Sequence, residues 1–191
     1  MLMYTGIGSR ETPESVLRIM RWLGYQLAAQ GWVLRSGGAD GADYAFERGV
    51  LYHSHQHGGF NADKMRIYLP GPRFKTRSRV VVADPAQGYC NASSFPNWSQ
   101  AVQLASTIHP AWDRVERNPW FVALHARNCY QVLGDNLTSP SEMVVFWAPL
   151  TRNGDIRGGT RTAVVLAQRH GIPTYNLAIP EDYEQLLQLG V

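Results

Sequence analysis

The sequence predicts an α/β fold, with a parallel sheet of about five strands and helices on both faces. Three observations predict it. Short apolar runs punctuated by glycine alternate with amphipathic helical stripes along the chain. The run Met143-Val144-Val145-Phe146-Trp147 is apolar throughout, as expected of a strand covered on both faces. Three glycine-rich turns also stand where a strand should hand over to a helix: Thr5-Gly6-Ile7-Gly8-Ser9-Arg10, Ser36-Gly37-Gly38-Ala39-Asp40-Gly41-Ala42-Asp43 and Arg157-Gly158-Gly159-Thr160. Strands that alternate with helices pair in parallel through right-handed crossovers.

Residues 3–6 read as the first strand, ending in the Gly6/Gly8 turn. Thr12 reads as the N-cap of the first helix, with Pro13 at its first position and Glu14 in its first turn. Val16, Ile19, Met20, Leu23 and Leu27 then form an apolar stripe that runs to the stop at Gly31. Residues 32–34 are the second strand, and residues 40–49 a helix opening on the second glycine turn. Residues 50–63 read as a loop rich in histidine and glycine. Residues 64–69 are the third strand, closed by Pro70-Gly71-Pro72. The pattern then dissolves into an irregular excursion over about 70–99, with room for one short strand at residues 80–83. Long irregular segments of this kind usually serve a function. Helical periodicity resumes at residues 99–108 and 119–133. After the apolar strand come a helix over 160–170 stopped by Gly171, a last strand over 172–177 and a closing helix over 180–189. One domain over residues 1–191, without internal repeats, is the expectation.

Composition bounds the function. A chain of 191 residues suffices for one α/β core, and 45% hydrophobic with 17% charged residues does not suggest disorder. A net charge of +3 is mild for a dedicated nucleic-acid-binding domain. Cys90 and Cys129 make neither a disulfide framework nor a metal-ligand spacing, so reduced thiols are expected. No signal-like segment opens the chain and no apolar run approaches membrane length, so a soluble, cytoplasmic protein without a membrane partner is expected.

Glycines at strand-to-helix turns admit a ligand close to the backbone and free helix N-terminal N–H groups for an anion. Several such turns at the C-terminal edge of a sheet point to a phosphate-bearing ligand, a nucleotide or a derivative of one. Ser36, Gly37, Gly38, Gly158, Gly159 and Thr160 form the expected cradle, with Gly8, Ser9 and Arg10 from the first turn. Arg10, Arg35, Arg127, Arg157 and Arg161 flank turns, and Arg10 with Arg127 is the preferred pair for the anion. Asp40, Asp43 and Glu47 share one helix face. Asp40 and Asp43 are candidates for a sugar contact, and Glu47 reads as a solvated charge near the positive helix end. Asp40, Asp43 and Glu142 are the candidate catalytic acids. The alternating run Arg73, Lys75, Arg77, Arg79 reads as a solvated, mobile segment, with steering of nucleic acid as the other possibility. His53, His55 and His57 alternate too, yet no cysteine or carboxylate stands at a matching spacing, so no metal is assigned. Trp147 ends the apolar strand near a glycine turn, with core packing as the main reading and base stacking as the alternative.

The Gly6-Ile7-Gly8-Ser9-Arg10 turn, the Ser36-Gly37-Gly38 motif with Gly41 and the late Gly-Gly-Thr resemble the SLOG superfamily of Rossmann-like proteins. That group includes the DNA-processing protein A family, the Lonely guy phosphoribohydrolases and the molybdenum-cofactor carrier proteins. Within it the chain looks most like small, phage- or prophage-borne proteins related to DNA-processing protein A that lack a winged-helix tail. Leu124-His125-Ala126-Arg127-Asn128 resembles the segment with which Lonely guy enzymes supply an arginine to their ligand, which implies ligand roles for His125 and Arg127. Alignment on Gly159-Thr160 places Ala163 where those enzymes carry their catalytic glutamate. That departure counts against their activity, because the acid that assists glycosidic cleavage is missing.

Three readings stay open. In the first the protein binds a nucleotide-derived ligand without turning it over, as a sensor or sequestering protein. In the second it is an N-glycosidic or phosphoester hydrolase whose acid comes from elsewhere. In the third, implied by the resemblance, it is a mediator that binds single-stranded DNA. No cofactor is called for, and homo-oligomers are common in the resembling families.

Overall fold

The computed structural model describes residues 1–59, 61–151, 155–156 and 158–190. A six-stranded parallel sheet forms its centre, in the order β6-β3-β2-β1-β7-β8. The strands are β1 (Met3–Gly8), β2 (Val33–Ser36), β3 (Met65–Leu69), β6 (Tyr89–Asn91), β7 (Met143–Trp147) and β8 (Thr174–Asn176). A separate antiparallel hairpin joins β4 (Arg73–Lys75) to β5 (Val80–Val82). The central pairing sets Tyr4 opposite Met143 and Gly8 opposite Trp147, and β1 also sets Met3 opposite Val33.

Strand side chains alternate between the two faces, and each face buries its own core. Met143 and Val145 join a cluster with α1 (Glu14–Ala29), α2 (Ala42–Gln56) and Leu186 of α7 (Pro180–Gln188). Val144 and Phe146 join the other, with α3 (Trp98–Ser106), α5 (Pro119–Leu133) and α6 (Thr160–Arg169). A short α4 (Trp112–Val115) precedes α5. β7 is buried on both sides, as its uniform apolarity requires.

Four local expectations are corrected. First, the excursion at 70–99 is built structure rather than a mobile loop. It contains the β4–β5 hairpin and the sixth sheet strand, β6, which pairs Cys90 with Tyr68. Three residues carry no readable periodicity, so β6 is specified by its partner rather than by its own pattern. Second, α2 extends to Gln56, so His53 and His55 lie on a helix rather than in a loop; the histidines and glycines of this stretch mask a helix held by its packing on α1. Third, α1 is preceded by Pro13, while the Thr12 hydroxyl donates to the Ser9 carbonyl (2.7 Å) instead of capping the helix. Fourth, Glu47 is fully buried, not solvated, as described below.

Candidate functional site

From β1 the chain winds outward through β2, β3 and β6, then crosses back to β7 and β8 on the other side. The order therefore reverses between β1 and β7, and open α/β sheets bind ligands in the crevice at the C-terminal end of such a switch point. A cleft of about 550 Å³ lies there. The β1–α1 turn contributes Gly8, Ser9 and Arg10, and the segment entering α6 contributes Gly158, Gly159 and Thr160. Trp120, Leu124, Arg127 and Gln131 line the cleft from α5, and Phe74, Lys75 and Arg77 from the hairpin side. Spacings of four, three and four residues set these α5 positions on one helix face.

Arg127 and Asp43 are the charged pair at the buried end of the cleft. The Arg127 guanidinium donates from Nη1 to the Gly37 carbonyl and to the Tyr68 carbonyl (3.1 Å), and lies over the Phe74 ring, 5.3 Å from its centroid. Its Nη2 stands 4.0 Å from Asp43 Oδ2, and its Nε is buried without a partner, as is Nε2 of Gln131. Burial lowers the arginine's pKa, opposed by the Asp43 charge. Burial likewise pushes the Asp43 carboxyl up to about 6, against the Arg127 charge and the N–H of Ala39 (3.3 Å). Each charge thus leans on a distant partner and is incompletely satisfied.

His125 also lines the cleft. Its Nδ1 lies 2.9 Å from Thr162 Oγ1, and its ring meets His109 edge to face at 4.5 Å between centroids. Burial, with His109 and Arg127 nearby, lowers its pKa to about 4, so the imidazole is neutral near pH 7. Asn128 donates from Nδ2 to the Gly159 carbonyl (2.9 Å) and anchors the start of α6 to α5. The first N–H groups of an α-helix have no partner within the helix, which makes the start of α6 an anion-compatible wall.

The second glycine turn is occupied by the protein itself. Ser36 is fully buried and donates to the Gly6 carbonyl (2.6 Å). A Cβ on Gly37 would overlap the Arg127 guanidinium and the Gln131 amide. Gly38 accepts from Arg79 Nη2 (3.4 Å). None of the three lines the cleft. Asp40 lies just before α2 and binds the hairpin turn, accepting from Thr76 Oγ1 (2.9 Å), from the N–H groups of Arg77 (2.7 Å) and Ser78 (3.3 Å), and from the Ser78 hydroxyl. Burial would raise its pKa, but these hydrogen bonds outweigh it and hold the carboxyl low.

Glu47 anchors the same hairpin. Arg79 grips it with both terminal nitrogens, one at 2.7 Å, and Tyr89 Oη donates to it at 2.8 Å. The Arg79 guanidinium also stacks 3.8 Å above the centroid of Tyr44. Of the basic run, Arg79 is therefore turned inward, while Arg73, Lys75 and Arg77 stay exposed. Glu142 is exposed and precedes β7, at the sheet edge opposite the cleft. Arg35 reaches the Ser139 carbonyl (2.7 Å), Arg161 reaches the Ile108 carbonyl (2.9 Å), and Arg157 lies outside the described residues. Ala163 is buried in the α5–α6 core. His53 and His57 stack at 4.4 Å beside Tyr25. Trp147 packs against the α1–α2 core, and its carbonyl accepts from the Ser9 N–H (3.0 Å).

Sequence reasoning missed Phe74, Trp120, Phe121 and Gln131 as cleft residues. For two of them the signal was present, since Trp120 and Gln131 fall on the α5 face defined by Arg127. Phe74 had none, because only the tertiary placement of the hairpin brings it to Arg127.

No family model and no curated protein matches the sequence. Among solved structures the chain is similar to DNA processing protein A from Helicobacter pylori, studied for its single-stranded DNA binding mode. The identity is 16% over 99% of this chain and 73% of that one, with a TM-score of 0.50. It is also similar to the Moco carrier protein of Chlamydomonas rheinhardtii (18% identity, 98% and 83% of the two chains, TM-score 0.48). A second structure of a molybdenum cofactor carrier protein from Chlamydomonas reinhardtii has 16% identity over 99% and 85%, with a TM-score of 0.46. The first likeness shows the fold, a Rossmann-like α/β sheet. Among the described residues no helix is long and apolar enough to cross a membrane.

Proposed function

We propose that this protein binds a nucleotide-derived, phosphate-bearing ligand in the cleft between the ends of β1 and β7, as a sensor or sequestering protein. The observation that carries the reading is Arg127: a buried guanidinium whose Nε has no partner, beside the start of a helix. Arg127 lines the cleft, and a phosphate there would serve as its counter-ion when Asp43, 4.0 Å away, is protonated. In this reading Gly158, Gly159 and Thr160 offer N–H groups and a hydroxyl, Gly8 and Ser9 border the anion, and Arg10 adds charge at the rim. Ser36, Gly37 and Gly38 act indirectly, by seating Arg127. The reading takes the chain as a SLOG-type relative of DNA-processing protein A. The alanine at position 163 favours binding over phosphoribohydrolase chemistry, since a methyl group supplies no proton.

Mass spectrometry of small molecules released on denaturing the native protein, with thermal shifts across a nucleotide panel, tests the reading. A released nucleotide, or a Tm rise of several degrees with one, supports it. No release and no shift would overturn it.

One observation favours a second reading. Asp43 borders the cleft with a carboxyl pushed up to about 6, a suitable range for a general acid of a nucleotide hydrolase. That reading expects Asp43→Asn to abolish turnover and spare binding. Binding of single-stranded DNA by Arg10, Lys75 and Arg77 would instead weaken steeply with salt as phosphate contacts release counterions.

A further inference from the structure

The cleft has two chemically distinct halves. Arg127, Asp43 and Gln131 make the polar end. The other end is aromatic: Trp120 and Phe121 line it and keep 41% and 49% of their surface exposed. Both sit in the first turn of α5, which is fixed by Pro119 and by the Asn118 side chain accepting from the Trp120 N–H (3.0 Å). Phe74 of the hairpin packs on Trp120, with ring centroids 5.8 Å apart and planes at 49°. The same Phe74 lies under the Arg127 guanidinium, so one ring joins the aromatic half to the charged half. Trp120 and Arg127 are seven residues apart on one helix face, about 10 Å along the axis at 1.5 Å per residue.

We propose that Trp120 and Phe121 form a ring-binding subsite that stacks a planar heteroaromatic ring, such as a nucleobase, of the same ligand whose phosphate reaches Arg127. The inference rests on the phosphate reading above and adds the ligand's second half and its orientation, ring at the mouth and phosphate inside. Large aromatic faces left open on the wall of this cleft would be costly surface in a site for phosphate alone. A ring laid on them removes apolar area from water and gains stacking. Exposed Arg10, Lys75 and Arg77 outnumber the one exposed acid of this mouth, Glu11, which stands 4.0 Å from Arg77, and the excess of positive charge favours an anionic ligand over a neutral aromatic one. A cleft of about 550 Å³ suits one compact ligand rather than a long polymer.

Calorimetric titration of the full chain with AMP, GMP and flavin mononucleotide against ribose 5-phosphate tests this. Ribose 5-phosphate has the phosphate and no ring. At least one ring-bearing monophosphate is expected to bind about tenfold more tightly than ribose 5-phosphate, in line with stacking measured by alanine substitution. Trp120→Ala and Phe121→Ala should each collapse most of that ratio while leaving the affinity for ribose 5-phosphate unchanged. Phe121→Ala keeps the Phe74–Trp120 contact, so it serves if Trp120→Ala loosens the hairpin. Equal binding of ring-bearing and ringless phosphates, or a ratio unmoved in both variants, overturns the subsite and leaves the phosphate reading intact. No binding of any of the four overturns both. Tighter binding of an oligothymidylate than of every mononucleotide, falling steeply with salt, overturns the assignment to a small ligand.

Discussion

Two glycine turns, Ser36-Gly37-Gly38 after β2 and Gly158-Gly159-Thr160 at the start of α6, end at the same edge of the sheet and differ in what fills the space before them. In front of Gly37 stand the Arg127 guanidinium and the Gln131 amide, and the Gly37 carbonyl is taken up by Arg127. In front of Gly159 a Cβ would meet nothing within 4 Å. One turn is packed from within and the other opens on the cleft. A glycine turn reports a need for close approach without saying who approaches. At Gly37 the visitor is an arginine of the chain itself, which is then presented to the cleft.

The hairpin is part of the packed turn, so the largest effect should come from releasing it. Glu47→Gln leaves Arg79 without its charge partner, and breaking a buried pair from one side costs about 3 kcal/mol. Urea unfolding should show that loss. A change under about 0.5 kcal/mol, the ordinary size of surface effects, would show that the hairpin does not depend on this grip.

Next in size is the direct contrast between the turns. Gly37→Ala should destabilise by about 1–3 kcal/mol, the usual cost of overpacking. Gly159→Ala should change stability by no more than about 0.5 kcal/mol yet weaken phosphate binding, because the methyl would enter the cleft. Equal thermal shifts for the two variants would erase the distinction.

The charged end of the cleft sets a pH dependence. Burial pushes the Asp43 carboxyl up to about 6 in the folded protein, above the 3.8 of a free side chain. Its stabilising contribution is therefore full below about pH 4 and is lost as pH rises through 6. Asp43→Asn should thus gain stability relative to the parent as pH rises from 4 to 7, by on the order of 2 kcal/mol. His125 works in the opposite sense. Its folded pKa of about 4 lies below 6.5, so its contribution is present above pH 6.5 and lost as pH falls through 4. Tm profiles of Asp43→Asn and His125→Gln should therefore diverge from the parent in opposite directions, and parallel profiles would refute the assignment. Phosphate affinity should rise as pH falls through 6, because protonated Asp43 no longer competes for Arg127.

Much of this arrangement was legible residue by residue. The amphipathic stripe of α1, the uniformly apolar β7 and the bounds of α5 follow from periodicity and from Pro119, all local signals. Gly8, Ser9, Arg10, Asp43, His125, Arg127, Gly158, Gly159 and Thr160 do line one cleft. Asp40, Glu47 and Arg79 were not legible, because their partners are 32 to 42 residues away and meet only when the hairpin and β6 come together beside α2. Phe121 carried no such signal, since nothing local distinguishes a core ring from one left open on a cleft wall.

By itself the sequence determined the strand–helix alternation, and hence a parallel sheet whose turns gather at one edge, because hydrophobic period and turn chemistry act within a few residues. Only the tertiary structure decided which glycine turn stays open, which arginine fills the other, and that an irregular stretch becomes a hairpin flanking the cleft. Those outcomes depend on contacts between distant segments, and burial and charge compensation are properties of the assembled chain rather than of any stretch of it.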